Sequence, residues 1–187
     1  MATQTELSFD EIKKNWATYT GILGRLKDEQ IDKLLEGLGE RLALSPANQT
    51  TGQYGAFPGG LVATSLQMGK DMQALNEFHG NPCNIKSIYK IGFLHDIGRI
   101  GTMERDFFLE QDSDWHREKL GHQFKINNTI QTTHIQRTLY LVNQFQVVLS
   151  EEEFDALLSV DDNEAKNQLG AILLHVRNML INTEETE

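Results

Sequence analysis

Apolar residues recur at a helical period along most of this chain. Ser8-Phe9-Asp10-Glu11 has the form of a capping box, with Ser8 as N-cap and Glu11 reaching back, and predicts a first helix to about Ile22, weakened by Gly21 and Gly24. Asp28 opens a second, whose inward face is Ile31, Leu34, Leu35, Leu38 and Leu42. Ser45-Pro46 stops it, because the residue before a proline avoids the helical region. Residues 45–60, rich in Gly, Pro and small polar side chains, read as an ordered loop in which Tyr54 and Phe57 need packing partners. A third helix spans Leu61 to about Phe78 and ends at His79-Gly80-Asn81-Pro82. The fourth, from Asn84 to about Gly98, is apolar on more than one side through Ile85, Ile88, Tyr89, Ile91, Phe93, Leu94 and Ile97, which predicts a central position.

The periodicity fails between Thr102 and Asn128. There Phe107, Phe108, Trp115 and Phe124 alternate with charges and turn residues, and the stretch reads as a long loop or irregular hairpin. Helical spacing returns over about Thr132 to Val147, after which Ser150-Glu151-Glu152-Glu153 is a second capping box opening a shorter helix. A last helix covers roughly Asn163 to Ile181, with Leu169, Ile172, Leu173, Val176 and Leu180 facing inward. The expectation is an all-α domain of about seven helices. Residues 1–44 supply N-terminal helices packed on the core, 45–182 the main helical domain, and 183–187 a frayed tail.

Composition narrows the function classes. The 27 Asp and Glu outweigh 17 Lys and Arg, giving a net charge of −10, and a surface of that sign repels nucleic-acid phosphates, so no direct nucleic-acid binding is expected. A single cysteine, Cys83, rules out an internal disulfide and suits a reducing compartment. No apolar run reaches the roughly 18 to 20 residues of a membrane span, and the N-terminal residues lack the pattern of a secretory signal. A cytoplasmic location with no membrane association follows as the expectation.

The segment with most chemistry is Leu94-His95-Asp96-Ile97-Gly98-Arg99-Ile100-Gly101, at the end of the central helix. Imidazole nitrogen and carboxylate oxygen are natural ligands for Mn, Fe, Ni, Co or Zn, and Gly98 and Gly101 allow other groups to approach. A histidine bonded beside a helix-terminal aspartate explains the same pair without a metal.

This segment resembles the signature of the HD-domain superfamily of metal-dependent phosphohydrolases. The similarity extends to Tyr54-Gly55-Ala56-Phe57-Pro58-Gly59-Gly60-Leu61-Val62, Trp115, Thr133-His134-Ile135 and Leu149 to Glu153, in the order found in small bacterial and bacteriophage members. A phage-encoded member would work in the host cytoplasm. The resemblance implies a single HD-domain helical bundle. It makes His95 and Asp96 catalytic and metal-binding residues, with His134 as a further ligand and Arg99 as a phosphate contact. It also exposes departures. Thr64 stands where the family carries its first metal histidine, Tyr54 replaces a loop histidine, Asn178 takes the place of the last aspartate, and Val160 that of another histidine. Thr64 and Asn178 are weaker donors, and substituting two of four ligands costs more than the roughly 10- to 100-fold of a lost supporting partner.

Two readings follow from the resemblance. One is a binding or regulatory module with hydrolysis lost or weak. The other is an active divalent-metal phosphohydrolase acting on nucleotides or related phosphate esters, using His95, Asp96 and His134. Candidate partners are a nucleotide or phosphate-ester ligand and a protein, the latter docking on the aromatic stretch from Phe107 to Phe124. His116, His122 and His175 are further candidate ligands, His79 a helix-end partner, and Lys90 and Arg137 candidate phosphate contacts.

Overall fold

The computed structural model describes residues 6–182, so the expected tail at 183–187 lies outside the described residues. Those residues form eight α-helices and one small antiparallel hairpin: α1 (Phe9–Gly24), α2 (Glu29–Leu44), α3 (Gly60–Phe78), α4 (Ile85–Leu94), a single 3₁₀ turn (Ile97–Ile100), β1 (Phe108–Glu110), α5 (Asp114–Leu120), β2 (Phe124–Ile126), α6 (His134–Gln144), α7 (Glu151–Asp162) and α8 (Gln168–Asn182). None of these helices is long and apolar enough to cross a membrane.

Local signals set most of the helix starts. Ser8 and Ser150 both close complete capping boxes, and so does Thr133 with Gln136. Asp28 caps α2 by accepting from the amides of Gln30 and Ile31. The last helix begins later than its periodicity suggests. Asn163 adopts a left-handed conformation that ends α7, and Asn167 accepts from the Gly170 amide to start α8.

The core has two lobes, and α4 belongs to both. Phe93 and Leu94, followed by Ile97 and Ile100, pack with Tyr19, Leu23, Ile31, Leu34, Leu38 and Leu42. Ile88 and Ile91 instead join Met68, Met72, Leu157, Ile172 and Leu173. That division explains why this helix is apolar on several sides. Glycines let α3 and α4 cross closely: a Cβ on Gly69 would lie 2.2 Å from the Phe93 ring, and one on Gly92 would lie 3.1 Å from the Gly69 Cα. The buried Tyr19 hydroxyl donates to the Phe93 carbonyl at 2.7 Å, tying α1 to the residues just before the His-Asp pair.

The aperiodic stretch is a hairpin interrupted by a helix. Phe108 pairs with Ile126, Leu109 with Lys125 and Glu110 with Phe124, and α5 fills the connection. Arg41 on α2 anchors its base through Asp106 at 2.6 Å and the carbonyls of Thr102 and Met103.

Candidate functional site

The polypeptide turns out of α4 at the residues that carry the chemistry. His95 still donates its amide to the Ile91 carbonyl at 2.9 Å, while Asp96 leaves the helical region with φ −104° and ψ 5°. Thr138 on α6 clamps this turn: its hydroxyl accepts from the Gly98 amide at 2.9 Å and donates to the His95 carbonyl at 3.0 Å. The clamp needs a glycine, because a Cβ on Gly98 would fall 2.0 Å from the His134 carbonyl oxygen. Both His95 and Asp96 are about 2% exposed.

Asp96 is the hub. Its Oδ2 accepts from Arg99 Nε at 2.8 Å and lies 3.5 Å from His95 Nε2; its Oδ1 lies 3.2 Å from His134 Nε2. The His134 contact is off-line, leaving both Oδ1 and that Nε2 buried without an aligned hydrogen bond. Arg99 carries the network onward. Its Nη1 donates to the Ala47 carbonyl at 2.7 Å and to Asn48 Oδ1 at 3.3 Å, and its Nη2 donates to the Tyr54 hydroxyl at 2.7 Å. The residue expected to contact substrate phosphate is therefore committed to Asp96 and to the 45–60 loop.

Electrostatics follow from this geometry. Burial alone would raise the Asp96 carboxyl, but Arg99, His95 and His134 outweigh it and hold the group well below the usual carboxylate range. His95 is pushed down to about 4, chiefly by burial, with the charge of Arg177 adding to the effect and Asp96 opposing it. Its Nδ1 faces the Gly92 carbonyl at 3.1 Å, so a neutral ring donates there and presents the Nε2 lone pair to the cluster. Tyr54 is raised, first by burial and then by Asp96.

The other expected residues divide into near and far. Thr64 is half-buried and donates back to the Leu61 carbonyl of its own helix at 3.0 Å. Asn178 is exposed. Its neighbour Arg177 is the α8 residue whose charge reaches His95 and Tyr54, and among the described residues the buried Arg177 Nε has no hydrogen-bond partner. Sequence reasoning missed it, although the helical wheel held the signal: position 177 follows the buried Leu173 by four residues and Leu169 by eight. Val160 belongs to the second lobe of the core. Lys90 pairs with the buried Glu153 at 3.0 Å and with the Val148 carbonyl. His116 and His122 stack on each other in the hairpin with ring centroids 6.1 Å apart, and His79 and His175 line a shared groove between α3 and α8.

The residues present do not fit a tightly held divalent metal. Among the described residues, no group of three or more His, Cys, Asp or Glu side chains is arranged to hold an ion. Asp96 is the one carboxylate of the cluster, and its charge is already matched by Arg99 at 2.8 Å. A second guanidinium, Arg177, makes its field felt at His95, so a dication there would meet more repulsion than attraction. Comparison with family models, with curated proteins and with solved structures found no match.

Proposed function

We propose that this chain is an HD-type helical scaffold working as a binding or regulatory module, its hydrolytic metal site converted into an ion-paired cluster. The observation that carries this reading is the buried Asp96–Arg99 pair. The carboxylate that the HD resemblance makes a metal ligand is held by a guanidinium of the same motif, which is itself bonded to Ala47, Asn48 and Tyr54. Such a cluster orders the loop against the motif, and it lacks the surplus negative charge that would retain a dication and activate its water.

A second reading, a divalent-metal phosphohydrolase acting on nucleotides or related phosphate esters, draws on the buried and unaligned Asp96 Oδ1 and His134 Nε2. Elemental analysis decides between them. The purified protein and Asp96→Ala are exposed to Mn²⁺, Fe²⁺, Ni²⁺ and Zn²⁺, desalted and assayed for retained metal and for hydrolysis of nucleotides and phosphodiesters. The binding-module reading expects substoichiometric metal and background hydrolysis in both proteins. One metal per chain, lost together with activity in Asp96→Ala, refutes it.

A further inference from the structure

Among the described residues, Arg137 is a buried cation with no anion beside it. The residue is 3% exposed. Its Nε donates to the Gly98 carbonyl at 2.6 Å, its Nη1 to the Thr132 carbonyl, and its guanidinium lies over the Phe107 ring at 4.1 Å from the centroid. All three partners are neutral. Among the described residues no carboxylate pairs with it; Nε and Nη1 are bonded, and Nη2 has no protein acceptor but keeps some contact with solvent. Burial and the like charge of Arg99 push its pKa down to about 10. A buried charge without a counter-ion is unfavourable, and an incoming anion would relieve it.

The surroundings suit that anion. A groove of about 430 Å³ passes Arg137 and is lined also by Arg105, Thr129, Thr132, Gln136 and Glu104. Arg105 is exposed, and its Nη1 leans on the Thr129 carbonyl and hydroxyl oxygens at 3.3 Å, leaving the rest of the guanidinium toward solvent. The groove also reaches Thr132 and Gln136 at the N-terminal turn of the 11-residue α6, where the helix dipole favours negative charge; the capping box already satisfies the Thr133 and Gln136 amides there, and the Thr133 hydroxyl donates to Asp161 at 3.0 Å. Glu104 opposes this, but it too is exposed and screened. The volume lies within the roughly 300–1,000 Å³ of small-molecule pockets, which leaves room for a phosphate together with an organic body.

We propose that this groove binds the phosphate group of a small phosphate monoester, with Arg137 and Arg105 as the two cationic contacts. The site stands on the surroundings of Arg137 and is independent of how Asp96 is read, since neither His95 nor Asp96 lines the groove. The test is titration of ¹⁵N-labelled protein with inorganic phosphate and, separately, glycerol 3-phosphate. Saturable amide shifts confined to residues 102–105 and 129–140 are expected, tighter for the ester if the organic body is held. Arg105→Glu, at an exposed position, should weaken binding by about tenfold or more, the scale of a charge-assisted hydrogen bond. Arg137→Lys should weaken it too while keeping the fold's positive charge. Failure to saturate at millimolar phosphate, binding unchanged in Arg105→Glu, or shifts centred on Tyr54 and His95 would each overturn the proposal.

Discussion

Neutralising Asp96 without changing its size tests the cluster most directly. In Asp96→Asn the Arg99 guanidinium keeps its bonds to Ala47 and Tyr54 but loses its only carboxylate partner in the cluster. Side-chain exposures of 3% for Asp96 and 13% for Arg99 leave little solvent to screen the change. Breaking a buried pair by removing one member typically costs ~3–5 kcal/mol, and the partial exposure of Arg99 points to the lower end. Arg99→Met should be similarly harmful, because it strands the Asp96 carboxylate beside two imidazoles. The double variant Asp96→Asn/Arg99→Met removes both charges and should cost less than the sum of the singles, with a coupling of ~2–3 kcal/mol. Urea denaturation followed by circular dichroism, at pH 7 with a chelator present, measures all four corners of this cycle. If Asp96→Asn matches the parent within ~0.5 kcal/mol, or if the two changes simply add, the pair is not the structural unit described above. Stabilisation of the parent by added Mn²⁺, absent in Asp96→Asn, would point to metal binding instead.

Other outcomes follow from the same geometry. His95, depressed from 6.5 to about 4, binds fewer protons folded than unfolded between those values. Stability should therefore fall by ~3 kcal/mol as pH drops from 6.5 to 4, and His95→Gln should flatten that portion of a urea-midpoint profile. The Asp96 contribution has the same sign but is lost only at more acid pH, since its folded value lies well below 3.8. Gly98→Ala should destabilise by ~3 kcal/mol, because the new Cβ meets backbone of α6, the His134 carbonyl and the Thr138 amide at 2.5 Å, and not a side chain that can swing away. Gly21→Ala on α1, with no atom within 4 Å of the added carbon, should instead stabilise by ~0.5–1 kcal/mol, so paired thermal melts give the contrast.

What the sequence disclosed and what it concealed divide along physical lines. Helices with a buried stripe announced themselves: α2 buries all five residues that its spacing nominated, Ile31, Leu34, Leu35, Leu38 and Leu42. By contrast, α5 was invisible to periodicity because it buries none of its residues; only Ser113 as N-cap and Gly121 in a left-handed turn mark it, and it brings the helix count to eight instead of about seven. The start of α8 was misplaced for a similar reason, since the turn at Asn163 is a matter of backbone conformation and not of hydrophobic spacing. At the candidate site, the proximity of His134 to Asp96 was suggested by a resemblance, and no local pattern announces a contact 38 residues along the chain. The partners of Arg99 were equally hidden, because two of its bonds go to oxygen atoms of Ala47 and Asn48, one of them backbone that any residue would supply. Arg177 carries no local mark either, because one arginine on a largely apolar helix reads equally well as a solvated position.

The reach of Arg99 also bears on how the molecule comes together. One side chain closes a span of about fifty residues, from the 3₁₀ turn back to Ala47, Asn48 and Tyr54. Neither end is stabilised by its own hydrogen bonds alone, so the loop and the turn should acquire order as a single cooperative unit, late enough that the chain between them, α3 and α4, is already in place. Amide exchange at Ala47 and Ala56, which are bonded to Gly55 and Gln53 within the loop, should then slow and quicken in step with exchange at Gly98 and Arg99. A lesion in the motif would be read out first as fraying of a loop whose contacting residues lie 45 to 52 positions earlier in sequence but touch it in space.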